Sequence, residues 1–153
     1  MQLSILRGVL ESVGQPTVQA LARQPTVSDV VRVVVHYYDG RARDSVGTLL
    51  CTRTSAAVEI RYRDALGGKP LGYALPEGRP TQLLTALRSA GFDRLPDQEP
   101  MPRYDAADAW MIERAAGMFA HGLVLLPEQA AGAYALVVHA IRDYLPEVLK
   151  PLR

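Results

Sequence analysis

The stretch DAADAWMIERAAGMFAHGLVLLP, Asp105 to Pro127, decides the fold, because it admits two readings with different consequences. As a helix it is alanine-rich, has Asp105 as an N-cap and places His121 and Gly122 at its end. As a hairpin it has Ala115-Ala116-Gly117 for a three-residue loop, between Trp110-Met111-Ile112 and Leu123-Val124-Leu125. Trp, Ile, Leu and Val suit a pleated surface, and Pro127 then closes the second strand and opens a helix at its first position. Periodicity alone does not separate the two.

The surrounding order of residues favours the hairpin. LLTALRSAGFDRLP (Leu83 to Pro96), DAADAWMIER (Asp105 to Arg114) and GMFAHGLVLLPE (Gly117 to Glu128) together resemble a pattern in bacterial proteins of unknown function. There, a helix ending GF..LP precedes a DG..W..E strand, a glycine turn, a G.[FY]H strand and a PE helix start. The resemblance covers about Leu71 to Leu145 and departs at Ala106, where the pattern has glycine, and at His121, two places after Phe119. It implies a shared fold and no particular activity.

Composition sets the class. A chain of 153 residues, 48% hydrophobic and 22% charged, is ordinary globular material. At that length a single core buries about 70% of the unfolded surface, so no metal or disulfide staple is required. A net charge of +1 supplies no basic footprint, which makes nucleic acid an unlikely partner. The single Cys51 cannot form an internal disulfide and fits a reducing compartment. The first residues, MQLSILRGVLESVGQ, are interrupted by Arg7 and Glu11 and do not read as a signal peptide, and no apolar run reaches the roughly 18 residues of a membrane span. A cytoplasmic protein is expected.

Outward from the centre, Leu3, Leu6, Val9, Leu10 and Val13 form one helical stripe that stops near Gly14. A short helix over Pro16 to Arg23 completes an arm at residues 1–25, distinct from the domain at 26–153. From Val30 the period becomes two, with Val31, Val33, Val35 and Tyr37 on one face and Arg32 and His36 on the other. Strands follow at about 46–53 and 57–63, then a row of Leu71, Tyr73 and Leu75. Setting Tyr62 opposite Leu71, Ile60 opposite Tyr73 and Val58 opposite Leu75 puts six apolar side chains on one face. Pro80 starts a helix carrying Leu83, Leu84 and Leu87, which Gly91 caps while Phe92 folds back. The last helix runs from Pro127 along Ala130, Tyr134, Val137, Ile141 and Leu145, and residues 147–153 are expected to fray.

Candidate chemistry is sparse. With the hairpin paired about Ala116, Met111 faces His121 and Glu113 faces Phe119, so Glu113 and His121 lie diagonally on one face within reach of a shared proton or ion. A catalytic metal wants three protein ligands, and Asp108 points the other way, so a polar cross-strand pair is the plainer reading. Trp110 is a ligand-stacking platform or, more simply, core. Cys51 with His36 on the neighbouring strand has the residue types of a nucleophile and base, although a strand cysteine is usually a small buried hydrophobe. Asp93, Asp97, Glu99 and Asp105 lack the spacing of a calcium loop, and Gly67-Gly68-Lys69 lacks that of a phosphate loop. Tyr37, Tyr38, Arg41, Arg43 and Arg53 mix aromatic and basic residues at one end of the first hairpin, with Asp39 and Asp44 balancing them.

These readings combine into an α+β fold: an antiparallel sheet of about six strands from consecutive hairpins, two helices on one face and an N-terminal helical arm. The expected function is a non-catalytic structural or protein-interaction module with no cofactor. The alternatives are a small-ligand or metal-dependent activity centred on Glu113 and His121, with Trp110 beside them, and inhibition or regulation of a partner enzyme. A homodimer is expected on two grounds: the valine-rich strand from Val30 has only Arg32 to discourage edge pairing, and the stripe of the first helix needs cover.

Overall fold

The computed structural model describes residues 2–64, 70–99 and 107–152. Two helices, α1 (Gln2–Val13) and α2 (Val18–Ala22), precede the strands β1 (Val27–His36), β2 (Ser45–Thr52), β3 (Ala56–Tyr62) and β4 (Leu71–Ala74). Helix α3 (Arg79–Ser89), the hairpin β5 (Ala109–Ala116) and β6 (Phe119–Leu125), and helix α4 (Ala133–Tyr144) complete the chain. All six strands join one antiparallel sheet in the order β4-β3-β2-β1-β5-β6. The fold is α+β. No helix among the described residues is long and apolar enough to cross a membrane.

The valine run explains the layering. Val31, Val33 and Val35 enter the main core with Trp110, Ile112, Leu123 and Leu125, under α3 and α4. Val30 and Val34 point the other way and are equally buried, Val34 against Leu6 and Val9 of α1 and Val30 against Val18 and Ala22 of α2. A strand apolar on both sides needs cover on both sides. The N-terminal arm is therefore the third layer.

Both grounds for the homodimer fall away here. β1 lies between β2 and β5 and is no edge, and the stripe of α1 packs on the chain's own sheet, with Leu6 and Val9 fully buried. The side chain of Leu3 lies outside the described residues. The sheet's edges are β4 and β6. The loop before β5 covers part of β6, since Gln98 N donates to the Val124 carbonyl at 2.9 Å and Val124 N donates to Asp97 Oδ1 at 2.8 Å. Asp97 thus has a structural partner in the backbone of β6.

Three further expectations are corrected. In the β3–β4 pair, Ile60 faces Leu71 and Val58 faces Tyr73, two residues from the expected register. An even shift keeps the same face inward, so Val58 and Ile60 stay buried, but it carries Leu71 to the rim, where it is 37% exposed. Pro127 opens a 3-10 turn and α4 begins only after Gly132. The tail does not fray: Val148 is buried, Tyr62 donates to the Lys150 carbonyl at 2.7 Å and Arg79 pairs with Glu147 at 2.8 Å. Gly47 makes room for it, because a Cβ there would overlap the side chain of Val148. The end of α3 follows expectation, with Gly91 left-handed at φ 75° and Phe92 in the core.

Truncating Ile60 or Phe92 to Ala is expected to cost about 2–5 kcal/mol, and Leu71→Ala no more than about 0.5 kcal/mol. Chemical denaturation measures all three. A loss at Leu71 as large as that at Ile60 would contradict the rim position.

Candidate functional site

The β5–β6 hairpin closes through a two-residue turn, Gly117-Met118, with Ala116 opposite Phe119. Gly117 sits at φ 57°, in the first central position where such turns favour glycine. The partner of His121 is therefore Arg114, not Met111, and the partner of Glu113 is Gly122, not Phe119. This displacement is odd, so it exchanges faces. Glu113 and His121 lie on opposite sides of the sheet and share no site.

His121 belongs to the α3–α4 side. Its Nε2 donates to the Leu95 carbonyl at 2.7 Å and its ring meets Phe92 edge to face at 5.6 Å between centroids. Trp110 lies in the main core, with the guanidinium of Arg142 over its ring at 5.8 Å. Next to them Arg114 is clamped by Asp93, through Nε at 2.9 Å and Nη2 at 2.8 Å, and by Asp29 through Nη1 at 3.2 Å. That clamp holds the Asp93 carboxyl below its ordinary range, whereas burial raises the carboxyl of Asp29 despite Arg114. It ties β1, β5 and the turn after α3 together.

The remaining candidates are occupied in the same way. His36 Nδ1 donates to Asp44 Oδ2 at 2.8 Å, at the end of the β1–β2 pair remote from Cys51, which lies opposite Asp29. Cys51 is buried, and desolvation, with the charge of Asp29 adding to it, pushes its thiol up to about 11. At neutral pH it is a protonated hydrophobe. Arg41 pairs with Asp39 and Asp108 and lies 4.8 Å over the Tyr37 ring, while Arg43 donates to the carbonyls of Arg63 and Asp64. Arg41 and Arg43 thus tie loops together at that hairpin end, whereas Arg53, expected beside them, follows β2 at the opposite end of the β1–β2 pair. Asp105 and Gly67-Gly68-Lys69 lie outside the described residues. Among the described residues, no group of three or more His, Cys, Asp or Glu is placed to hold a metal ion.

On the second face of the sheet is a site that the sequence reading passed over. Arg32 points inward from the middle of β1 and is 1% exposed, among the largest fully buried side chains of the described residues. Its Nε donates to Thr48 Oγ1 at 3.0 Å and its Nη1 to the Pro16 carbonyl at 2.8 Å. Thr48 in turn donates to Gln15 Oε1 at 3.3 Å, and Gln15 Nε2 donates to Glu59 Oε1 at 3.0 Å, which also takes Arg61 Nε at 2.7 Å. This string runs from β1 across β2 to β3 through the α1–α2 corner. Nη2 of Arg32 has no hydrogen-bond partner. Burial lowers the guanidinium's pKa while the charge of Glu113 raises it in part.

Glu113 is the direct cross-strand neighbour of Arg32, yet its Oε1 is also unpartnered. Burial lifts its carboxyl above the ordinary range, and Arg32 and then Arg7 pull it back in part. Its Cγ lies over Gly122, where an added Cβ would come within 3.2 Å, so it leans toward β6 while Arg32 leans toward β2. Beside Arg32 opens a groove of about 640 Å³, bounded by Val13, Gly14, Gln15 and Pro16 on one side and by Gly72, Tyr73 and Ala74 of β4 on the other. It lies where α1 and α2, which pack mainly on β1, β2 and β5, give way to β3 and β4. The visible signal was a lone arginine inside VVRVVVH, whose neighbours demand burial on both faces.

A comparison with protein-family models gave no match to the chain, and a comparison with curated proteins gave none. The chain is thus an α+β fold with a groove on its second face that has the buried Arg32 in its lining.

The position of Cys51 yields a test. At about pH 8 iodoacetamide is expected to leave the folded protein unmodified and to label the unfolded chain fully, as mass spectrometry would show. Because the folded thiol keeps its proton to about pH 11 against 9.0 for an ordinary thiol, folding stability is expected to fall as pH rises through that interval. Fast labelling of the folded protein would return Cys51 to the nucleophile candidates.

Proposed function

We propose that the protein is a non-catalytic binding module that takes its ligand in the groove between the α1–α2 corner and β4. The observation that carries this reading is the groove itself, about 640 Å³ with Arg32 in its lining, within the roughly 300–1,000 Å³ of small-molecule sites. The alternative of a joint site at Glu113 and His121 is disfavoured by the face exchange. A second reading, a protein-interaction module, is favoured by Met118, 86% exposed at the tip of the β5–β6 hairpin with Phe119 beside it. Regulation of a partner enzyme would use the same tip. A cytoplasmic setting, where the lone Cys51 stays reduced, belongs to this proposal.

Thermal shift against metabolites and divalent metals separates the sites. Ligand-induced shifts are expected to vanish in Ala57→Trp, which fills the groove from an exposed position, and to persist in Glu113→Ala and His121→Ala. The opposite pattern would return the site to the hairpin. With the α1 stripe covered in cis, light scattering is expected to give the single-chain mass of 16.7 kDa. Twice that mass would show that a sheet edge or the hairpin tip pairs two copies.

A further inference from the structure

We propose that β4 is a docking edge for an extended segment of another protein, one that pairs its backbone with β4 and places large apolar side chains over Gly72 and Ala74 into the groove. This rests on the groove reading above and names the ligand class. Leu75 N donates to the Ala56 carbonyl at 3.0 Å, and the pairing continues from Ala57↔Ala74 to Ile60↔Leu71. In an antiparallel ladder, successive residues turn their N–H and C=O to opposite sides. Leu71, Tyr73 and Leu75 therefore bond to β3, and Gly72 and Ala74 turn their backbone groups outward. Both residues are exposed, and among the described residues no hydrogen bond reaches those groups.

Backbone donors and acceptors along an open edge are met by another extended backbone, which is how peptides add to sheets. Edges are commonly guarded by charged side chains, yet LGYA carries none; it is bounded by Pro70 and Pro76, which keep the pairing short. Gly72 and Ala74 face the groove with a hydrogen and a methyl, so β4 raises no wall between an added strand and the space over Ala57 and Leu50. Neighbouring strands lie about 4.8 Å apart, a distance that a leucine or phenylalanine side chain spans. On the other face the added strand covers Leu71, which is 37% exposed.

The groove face also decides against a second copy as the occupant. Two β4 edges joined about a twofold axis set Gly72 of one opposite Ala74 of the other, so both strands offer only a hydrogen and a methyl there and both grooves stay unfilled. With 4 residues a side, such a pair is also short for the roughly 1,200 Å² of a stable interface.

NMR titration of the full chain with acetyl-Thr-Leu-Thr-Leu-Thr-amide tests this, beside the same peptide N-methylated at both leucines, which keeps the apolar surface and loses both leucine donors. The amide signals of Gly72 and Ala74 are expected to move most with the unmethylated peptide, and the methylated one to bind at least about tenfold more weakly. Gly72→Pro removes an outward N–H that the β3 ladder does not use, so the fold should stand while binding falls to the level of the methylated peptide. If both peptides bind alike and Ala57→Trp abolishes both, the groove takes side chains without strand pairing: this proposal fails and the groove reading stands. Signals moving at Ala120 and Gly122 of β6 instead of at β4 also overturn it. A doubled mass in light scattering that Gly72→Pro abolishes gives the edge to a second copy and overturns it. No binding by either peptide at millimolar concentration overturns it as well, and the small-molecule shifts with their loss in Ala57→Trp then judge the groove reading separately. Should Gly72→Pro not fold, the two peptides compared on the unaltered protein decide the matter.

Discussion

The burial of β1 on both faces is the constraint from which the architecture follows. A strand with Val31, Val33 and Val35 on one side and Val30 and Val34 on the other cannot be wet anywhere along its middle. It must have strands at both edges and helices on both faces. β2 supplies one edge by a hairpin, and β5 supplies the other from far along the chain. Helices α3 and α4 cover one face, and among the described residues α1 and α2 cover the second. Fully burying an apolar side chain is worth about 1.5–3 kcal/mol, so Leu6, Val9 and Val18 together bring enough to hold two short helices that would be marginal alone.

Much of this was legible, and the failures share a cause. Several elements showed themselves through local pattern, as in the alternation of β3 and the glycine and phenylalanine after α3, whereas the β5–β6 hairpin was separated from a helix only by the order of residues around it. What local pattern does not carry is which strand lies beside which, and by how many residues. The β3–β4 pair slipped by two, which cost only Leu71 its place, because the side-chain period is two. At β5–β6 the slip was odd, and it separated Glu113 from His121 completely. A candidate site built across strands is therefore only as good as the register under it. The valine run was misplaced for a similar reason: with Arg32 and His36 set on the second face, Val30 and Val34, which share that face and are buried, were left out.

The tail and the loop before β5 show the same limit from another side. Residues 147–152 and Asp97-Gln98 have no periodicity, yet each finds backbone partners on the sheet. Gly47 was a readable sign, since a glycine inside a strand often marks a close approach by another segment. Which segment approaches is not written near Gly47, because Val148 is distant in the chain.

Arg32 is the exception inside the most apolar strand, and its cost has to be offset locally. A bond from a guanidinium to a carbonyl is worth about 1.5–3 kcal/mol, so the Nη1–Pro16 contact pins the α1–α2 corner to the sheet as well as satisfying the charge. The same corner supplies Gln15 and Pro16 to the groove. Removing Arg32 therefore loosens the corner and changes the lining of the groove in one step, and a loss of binding in that variant alone would not say which had happened. Ala57→Trp fills the groove from β3 and leaves the Arg32–Pro16 bond in place, so it reads the groove apart from the corner.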